Sequence, residues 1–212
     1  MKARIARKPF CAILRRTRRA LLAAGFSLCA YSGFVFLDAQ YFQHRQNLVL
    51  DRLLLKPLPS PVVPVSVPPL GLIGRIEIPR LGLSQIVMEG SDSKTLRRAV
   101  GHVPGTALPG ESGNSAITAH RDTFFRPLRK IRSGDLISVT TLTGQYNYRV
   151  QSTEIVNPDN TEVLDPSSSE TLTLITCYPF YFVGSAPHRF IVHAERIAAP
   201  YPAAILPNHR EF

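Results

Sequence analysis

An uncharged apolar segment near the N-terminus is the strongest constraint on how this chain folds. Ala20 to Leu37 contains 18 residues without a charge, and a helix needs about 17–25 such residues to cross the hydrocarbon layer of a membrane. Eight of the 25 Lys and Arg residues lie within residues 1–19, where no acidic residue occurs. Basic residues mark the cytoplasmic side of a membrane span. The sequence therefore predicts a cytoplasmic segment over 1–19, a single transmembrane anchor over 20–37 and an extracytoplasmic remainder.

Two other interpretations of this region are less well supported. A cleaved signal peptide has an apolar core of about 7–15 residues, and the present segment is longer, with a poor small-residue cleavage site around Leu37-Asp38-Ala39. The net charge of +10 suggests a nucleic-acid binder, but the chain beyond residue 19 carries 17 basic and 15 acidic residues. That balance is typical of an ordinary soluble domain, and no nucleic-acid motif accompanies it. We therefore predict a membrane protein with no nucleic-acid partner.

The residues from 38 to 69 are predicted to form a helical stalk and a spacer. Leu50, Leu53 and Leu54 lie at helical spacing, so this part either continues the anchor helix, packs on the following domain or remains a loosely ordered stalk. Pro57 to Pro69 contains six prolines in 13 residues. Such a run favours polyproline II and would span about 40 Å, which would lift the following domain away from the lipid.

Residues 70–199 are predicted to form one all-β domain with short helices, followed by a tail over 200–212 whose role the sequence does not indicate. Short apolar strands alternate with turn residues, and about eight strands at this spacing favour a closed β-barrel, with a β-sandwich as the alternative. Val100 to Gly113 is predicted to be a long loop, and Ser93 to Arg98 one or two helical turns. The strands with clear patterns are Leu72–Ile78, Leu83–Met88, Ser115–Ala119, Leu136–Thr141, Gln145–Val156, Thr171–Thr176 and Arg189–Ala194.

The predicted domain contains a single thiol, Cys177, because Cys11 and Cys29 lie in or beside the apolar segment. This excludes a disulfide scaffold and a metal cluster built on thiolates, and we predict no metal and no cofactor. A free cysteine is often simply buried. However, an unpaired thiol outside the cytoplasm is exposed to oxidants, and Cys177 ends a predicted strand just before Pro179. Cys177 is therefore a candidate nucleophile.

Histidine and arginine residues that could assist this thiol lie at the ends of two other predicted strands. His120 follows the strand 115–119 and could act as a general base near neutral pH; His102, His188 and His193 compete for that role. Arg189 opens the last strand and is an always-charged donor suited to a developing oxyanion. Asp122 could orient the imidazole of His120, but we expect it to turn outward into the following turn.

Taken together, these motifs resemble the sortase family of membrane-anchored cysteine transpeptidases. The resemblance rests on TLITC with Cys177, APHRFIV with Arg189, ITAHRD with His120, and the segments Gly101 to Gly110 and Ile73 to Leu83. The segment TCYPFYFVG is most similar to the class D branch.

The resemblance implies an eight-stranded barrel and a substrate carrying an LPxTG-like sorting signal. It also implies that Cys177 forms a thioester with the threonine of the signal, that His120 exchanges protons with the leaving and incoming amines, and that Arg189 holds the substrate or the oxyanion. An amine of the cell envelope or of a pilin would then accept the acyl group.

Three rival functions remain open from the sequence. Papain-like peptidases place cysteine before histidine, which is the reverse of the order here. An L,D-transpeptidase shares the order but has Ser-x-Gly-Cys-type surroundings that this chain lacks. A non-catalytic anchored β-domain that binds envelope components would leave Cys177 without a chemical role.

Overall fold

The computed structural model describes residues 7–55, 71–182 and 184–197 of the 212-residue chain. The predicted proline-rich spacer and C-terminal tail lie outside the described residues. The chain divides into two compact units, Met1–Tyr41 and Phe42–Phe212. The helices are α1 (Arg7–Leu54) and α2 (Ser93–Leu96), and short 3₁₀ helices occupy Pro79–Leu81, Arg126–Lys130 and Glu162–Leu164. The strands are β1 (Leu72–Ile78), β2 (Leu83–Glu89), β3 (Val100–His102), β4 (Gly113–Thr118), β5 (Leu136–Thr141), β6 (Gln145–Val156), β7 (Glu170–Tyr178) and β8 (His188–Arg196).

The eight strands close into a barrel in the order β1-β2-β3-β4-β7-β8-β6-β5. Most neighbours are antiparallel, but β2 pairs with β3 and β4 pairs with β7 in parallel. Closure removes the open edges that an exposed sheet would leave. The barrel interior is filled by alternate apolar residues of the strands, with Ile76, Ile137 and Leu174 fully buried. The prediction of an all-β fold built as a closed eight-stranded barrel is confirmed, and the sandwich alternative is wrong.

The predicted loop over 100–113 is wrong at its beginning, because Val100–His102 forms strand β3 between β2 and β4. Three residues centred on a glycine are too few to produce a readable strand period. Gly101 is required for a packing reason: a Cβ at this position would lie 2.3 Å from the carbonyl oxygen of Gly90. A glycine that looks like loop punctuation in the sequence therefore marks a close approach of two backbones.

Helix α1 contains the predicted anchor segment. By length and composition, it is the one helix in the described residues that could cross a membrane. The uncharged residues 20–37 lie in its middle, and the large apolar side chains there, such as Phe26 and Phe34, are exposed.

The last turns of α1, from Phe42 onward, pack against the barrel. The side chain of Gln43 accepts a hydrogen bond from the Ile86 amide and donates one to the Arg98 carbonyl, both at 2.8 Å. Leu50 is fully buried in a small cluster with Leu72 and Ile86. This stretch is therefore helical and docked, not a loosely ordered stalk.

Replacing Leu50 with alanine is expected to destabilise the barrel unit by about 2–3 kcal/mol, because it leaves a cavity where the helix docks. Thermal melting of the full chain in detergent would measure the loss. Leu48→Ala is the matched control, since Leu48 lies on the same helix with 45% of its surface exposed. Equal shifts for the two variants would contradict the docking of this helix.

An ion pair ties together the loops at one end of the barrel. The guanidinium of Arg80 donates to both carboxylate oxygens of Asp135 and, at 2.6 Å, to the carbonyl of Lys130. Asp135 is buried and also accepts a 2.8 Å bond from the Arg132 amide. The hydrogen bond from Arg80 lowers the pKa of Asp135 below its usual value.

A lowered pKa in the folded state means that ionised Asp135 stabilises the fold above its unfolded pKa, about 3.9, and that this stabilisation is lost as the pH falls through the folded value. Asp135→Asn is therefore expected to lower the melting temperature near neutral pH. The difference from the unmodified chain should be largest near pH 7 and should shrink at a pH below the lowered pKa of folded Asp135, where both carry a neutral side chain. Asp122→Asn, at an exposed turn residue, should have little effect at either pH. A difference in melting temperature between Asp135→Asn and the unmodified chain that does not change with pH would contradict this role for Asp135.

Candidate active site

Cys177 and Arg189 face each other across two neighbouring strands. Cys177 lies within β7, which continues to Tyr178 before Pro179 ends it, so the strand extends two residues beyond its predicted end. In the antiparallel pairing of β7 with β8, the residue directly opposite Cys177 is Arg189. Side chains of directly opposed residues project to the same face with Cβ atoms about 5 Å apart. The pairing therefore brings the side chains of Cys177 and Arg189 out on the same face of the sheet.

His120 reaches the same place from the other side of β7. Strand β4 runs parallel to β7 and pairs Thr118 with Ile175. Beyond the strand, the Ala119 amide donates to the Ile175 carbonyl at 3.2 Å, and the Thr176 hydroxyl donates to the Ala119 carbonyl at 2.7 Å. These bonds extend the parallel pairing by one residue past the end of β4, to Ala119. The next residue, His120, is therefore level with Cys177.

The three predicted residues line one open cleft of about 340 Å³, together with Arg121, Gly184, Ser185 and Ala186. His120 is exposed and Cys177 is half-buried, so a peptide in the cleft can reach both. The side chain of Arg189 donates from Nη1 to the carbonyls of Ala186 and His188, at 3.4 and 3.2 Å. Among the described residues no group of three His, Cys, Asp or Glu side chains could hold a metal ion.

The competing histidines lie outside this cleft. His102 is buried, with Nδ1 at 2.8 Å from a carboxylate oxygen of Glu89 and Nε2 at 2.9 Å from the Ala107 carbonyl. It joins β3 to the loop that follows and has no access to a substrate. His193 lies in β8 with Nε2 at 2.8 Å from Glu154, and His188 begins β8 opposite Tyr178.

Replacing His102 with glutamine is expected to destabilise the fold by about 1–3 kcal/mol, because it leaves buried polar partners unsatisfied. The chemistry of the Cys177 cleft should be retained. His193→Gln is the control, since its contact with Glu154 is half-exposed and such pairs are worth about 0–1 kcal/mol. Thermal melting and the peptide assay described below would measure both effects. Loss of activity at full stability in His102→Gln would contradict a structural role.

Two features, one in the cleft and one near it, were not predicted from the sequence. Arg121 lines the cleft beside His120, although the HRD motif drew attention only to Asp122, which is exposed in the turn. Three aromatic rings also pack edge-to-face or stacked at the strand ends beside Cys177, namely Tyr178, Phe180 and Phe190. The run CYPFYF in the sequence was a signal for this aromatic cluster.

A closed eight-stranded barrel with a cysteine on β7, an arginine on β8 and a histidine just past the end of β4, all lining one cleft, defines a class of barrel proteins with a cysteine-containing cleft. The family model of the sortase domain matches residues 76–197, more than half of the chain, and the chain belongs to the sortase family.

Individual relatives agree with the family match. Sortase D of Bacillus subtilis (strain 168) is 35% identical over 125 residues, which cover 58% of this chain and 63% of that protein. The chain thus spans less than two thirds of this relative's length. The structure of a Clostridium perfringens sortase D5 transpeptidase is 34% identical, with a TM-score of 0.55, over 59% of this chain and 79% of that one. Sortase C1 from Streptococcus agalactiae is 29% identical, with a TM-score of 0.59, over 64% and 72% of the two chains.

Proposed function

We propose that this protein is a membrane-anchored cysteine transpeptidase that cleaves an LPxTG-like sorting signal and transfers the acyl part to an amine. The observation that carries the proposal is the convergence of Cys177, His120 and Arg189 on one open cleft. The names of the relatives support it, because one of them is called a transpeptidase.

In the first half of the proposed reaction, the thiol of Cys177 passes its proton to His120, and its sulfur attacks the carbonyl carbon of the threonine in the signal. A C–S bond forms, and the carbonyl oxygen becomes an oxyanion. Arg189 is positioned to hold the substrate or to stabilise that oxyanion, and a planar cation suits either task. The C–N bond then breaks. His120 gives a proton to the departing amine, and the acyl group remains on Cys177 as a thioester.

In the second half, an amine of the cell envelope or of a pilin attacks the thioester. His120 takes the proton that this amine must lose, and a new amide bond forms as the C–S bond breaks. His120 then returns the proton to the sulfur, which regenerates the thiol of Cys177. Water could also resolve the thioester, because His120 is exposed and the cleft is open. Slow hydrolysis is therefore the second candidate for the same site.

The proposal includes a topology. The basic residues that precede the apolar segment would hold the N-terminus in the cytoplasm, and α1 would cross the membrane once. The barrel would then work outside the cytoplasm, on secreted proteins that carry the sorting signal. No metal or cofactor is needed for the steps described.

The test uses the full chain in detergent with an LPxTG peptide, with and without hydroxylamine. Transpeptidation predicts a peptide hydroxamate and, without the nucleophile, an increase in protein mass that corresponds to the acyl part of the peptide on Cys177. Free acid alone in the presence of hydroxylamine would indicate a hydrolase. No product and no mass change with a panel of related peptides would overturn the proposal and favour a binding domain.

A further inference from the structure

The connection between β7 and β8 forms one wall of the candidate active site. Gly184, Ser185 and Ala186 line the cleft together with Cys177. Gly184 and Ser185 are exposed, so this wall is not held by burial in the core. Its position depends on contacts from neighbouring elements.

Arg121 supplies such contacts from the far side of the cleft. Its Nη2 donates to the carbonyl of Phe182 at 2.6 Å and to that of Gly184 at 3.1 Å. Its guanidinium carbon also lies 5.9 Å from the centre of the Phe182 ring. Bonds from a cation to carbonyl oxygens are stronger than those between neutral groups, so one side chain fixes two points of the connection.

The surroundings of Arg121 indicate a fixed side chain. Its Nη1 is buried and has no hydrogen-bond partner among the described residues. Burying a guanidinium N–H without an acceptor is unfavourable. The two carbonyl bonds and the ring contact distinguish Arg121 from a freely solvated surface arginine.

The same connection is held at its other end by Arg189, which donates to the carbonyls of Ala186 and His188. Arg121 directly follows His120 in the chain. One end of the cleft wall is thus held by Arg121, the neighbour of the proposed acid–base residue His120. The other end is held by Arg189, the proposed oxyanion donor.

We propose that Arg121 is a positioning residue for the sorting-signal peptide: it holds the β7–β8 connection against His120 and so sets the width of the cleft in which the peptide binds. This inference depends on the proposed function for its substrate. Arg121 itself takes no part in bond making or proton transfer.

The test compares Arg121→Ala, Arg121→Lys and the unmodified full chain in detergent, with an LPxTG peptide and hydroxylamine. We expect kcat/KM to fall about 10–100-fold in Arg121→Ala, because a displaced wall misplaces the peptide. Most of the change should appear in KM, since the reacting groups are intact. Arg121→Lys should recover part of the loss, because an ammonium can donate to both carbonyls but lacks the planar contact with Phe182.

A second readout needs no substrate. Chymotrypsin cleaves after aromatic residues, and Tyr181 and Phe182 lie in the connection, so Arg121→Ala should be cut there faster than the unmodified chain. Arg129→Ala is the matched control: Arg129 contacts the exposed Tyr181 ring at 5.6 Å but does not line the cleft. This variant should keep its KM and its cleavage rate within about twofold.

The inference would be overturned if the Arg121→Ala variant had the same KM and the same chymotrypsin cleavage rate as the Arg129→Ala variant. If the unmodified chain forms no hydroxamate, the proposed function fails, and the cleavage rate alone then decides whether Arg121 holds the connection. Unchanged cleavage in both Arg121 variants would overturn the inference whatever the outcome of the peptide assay.

Discussion

Replacing Cys177 with alanine is expected to reduce hydroxamate formation by at least about 10⁴-fold, to below detection, because the variant has no thiol in the cleft to form the thioester. A thioester requires a sulfur at the carbonyl carbon, and Cys177 supplies the one thiol in the cleft. The increase in protein mass after incubation with the peptide should disappear as well. Hydroxamate release and intact-protein mass spectrometry measure the two effects.

The matched control for this variant is Cys29→Ala. Cys29 is also a free cysteine, but it lies on α1 and is exposed, so its removal should leave the activity unchanged. Cys177 is only half-buried, and its truncation should alter the melting temperature little. Full activity in Cys177→Ala would remove the proposed mechanism, while equal loss in both variants would point to a general effect of the thiols.

Replacing His120 with glutamine is expected to lower the rate of peptide cleavage by about 10²–10⁴-fold, the range typical of lost general acid–base catalysis. An amine is a poor leaving group unless it is protonated as the C–N bond breaks. Glutamine retains a polar side chain of similar size at this exposed position but cannot exchange a proton near neutral pH. The measurement is kcat for hydroxamate formation at saturating peptide.

The leaving group separates this role from a general loss of structure. In a substrate whose scissile amide is replaced by a thioester, the departing thiolate needs no proton, so the defect of His120→Gln should become much smaller. Arg189→Gln provides the contrast. If Arg189 stabilises the oxyanion, its loss should cost about 10²–10³-fold in kcat with both substrates, because the same oxyanion forms in each. An equal defect of His120→Gln with both substrates would contradict its role as the acid.

If Arg189 instead holds the substrate, its replacement should raise KM and leave kcat nearly unchanged. The structure provides for either outcome, because Arg189 lies opposite Cys177 and also contacts the connection that forms the cleft wall. The division between kcat and KM therefore assigns the task of this residue independently of the test on His120.

Local features of the sequence were sufficient to predict the anchor and most of the strands. An uncharged run of 18 residues and alternation over six or more residues are properties of neighbours in the chain. The candidate residues could be chosen for a similar reason, since the chemistry of a thiol, an imidazole and a guanidinium belongs to each side chain. The all-β class, the position of the apolar helix and the choice of the three candidate residues could therefore be predicted from local sequence.

Which of these residues lie close together depends on strand pairing between distant parts of the chain. His120 lies beside Cys177 because β4 and β7 pair in parallel, a contact between residues 57 apart in the chain, and no local pattern encodes such a register. The three residues of β3 likewise form a strand only because they pair with β2 and β4. The structural role of His102 is likewise visible only from its contacts with Glu89 and Ala107. Arg121 gained its role only when the folded chain placed the carbonyls of a distant connection within reach, because hydrogen bonds between separate elements depend on non-local packing.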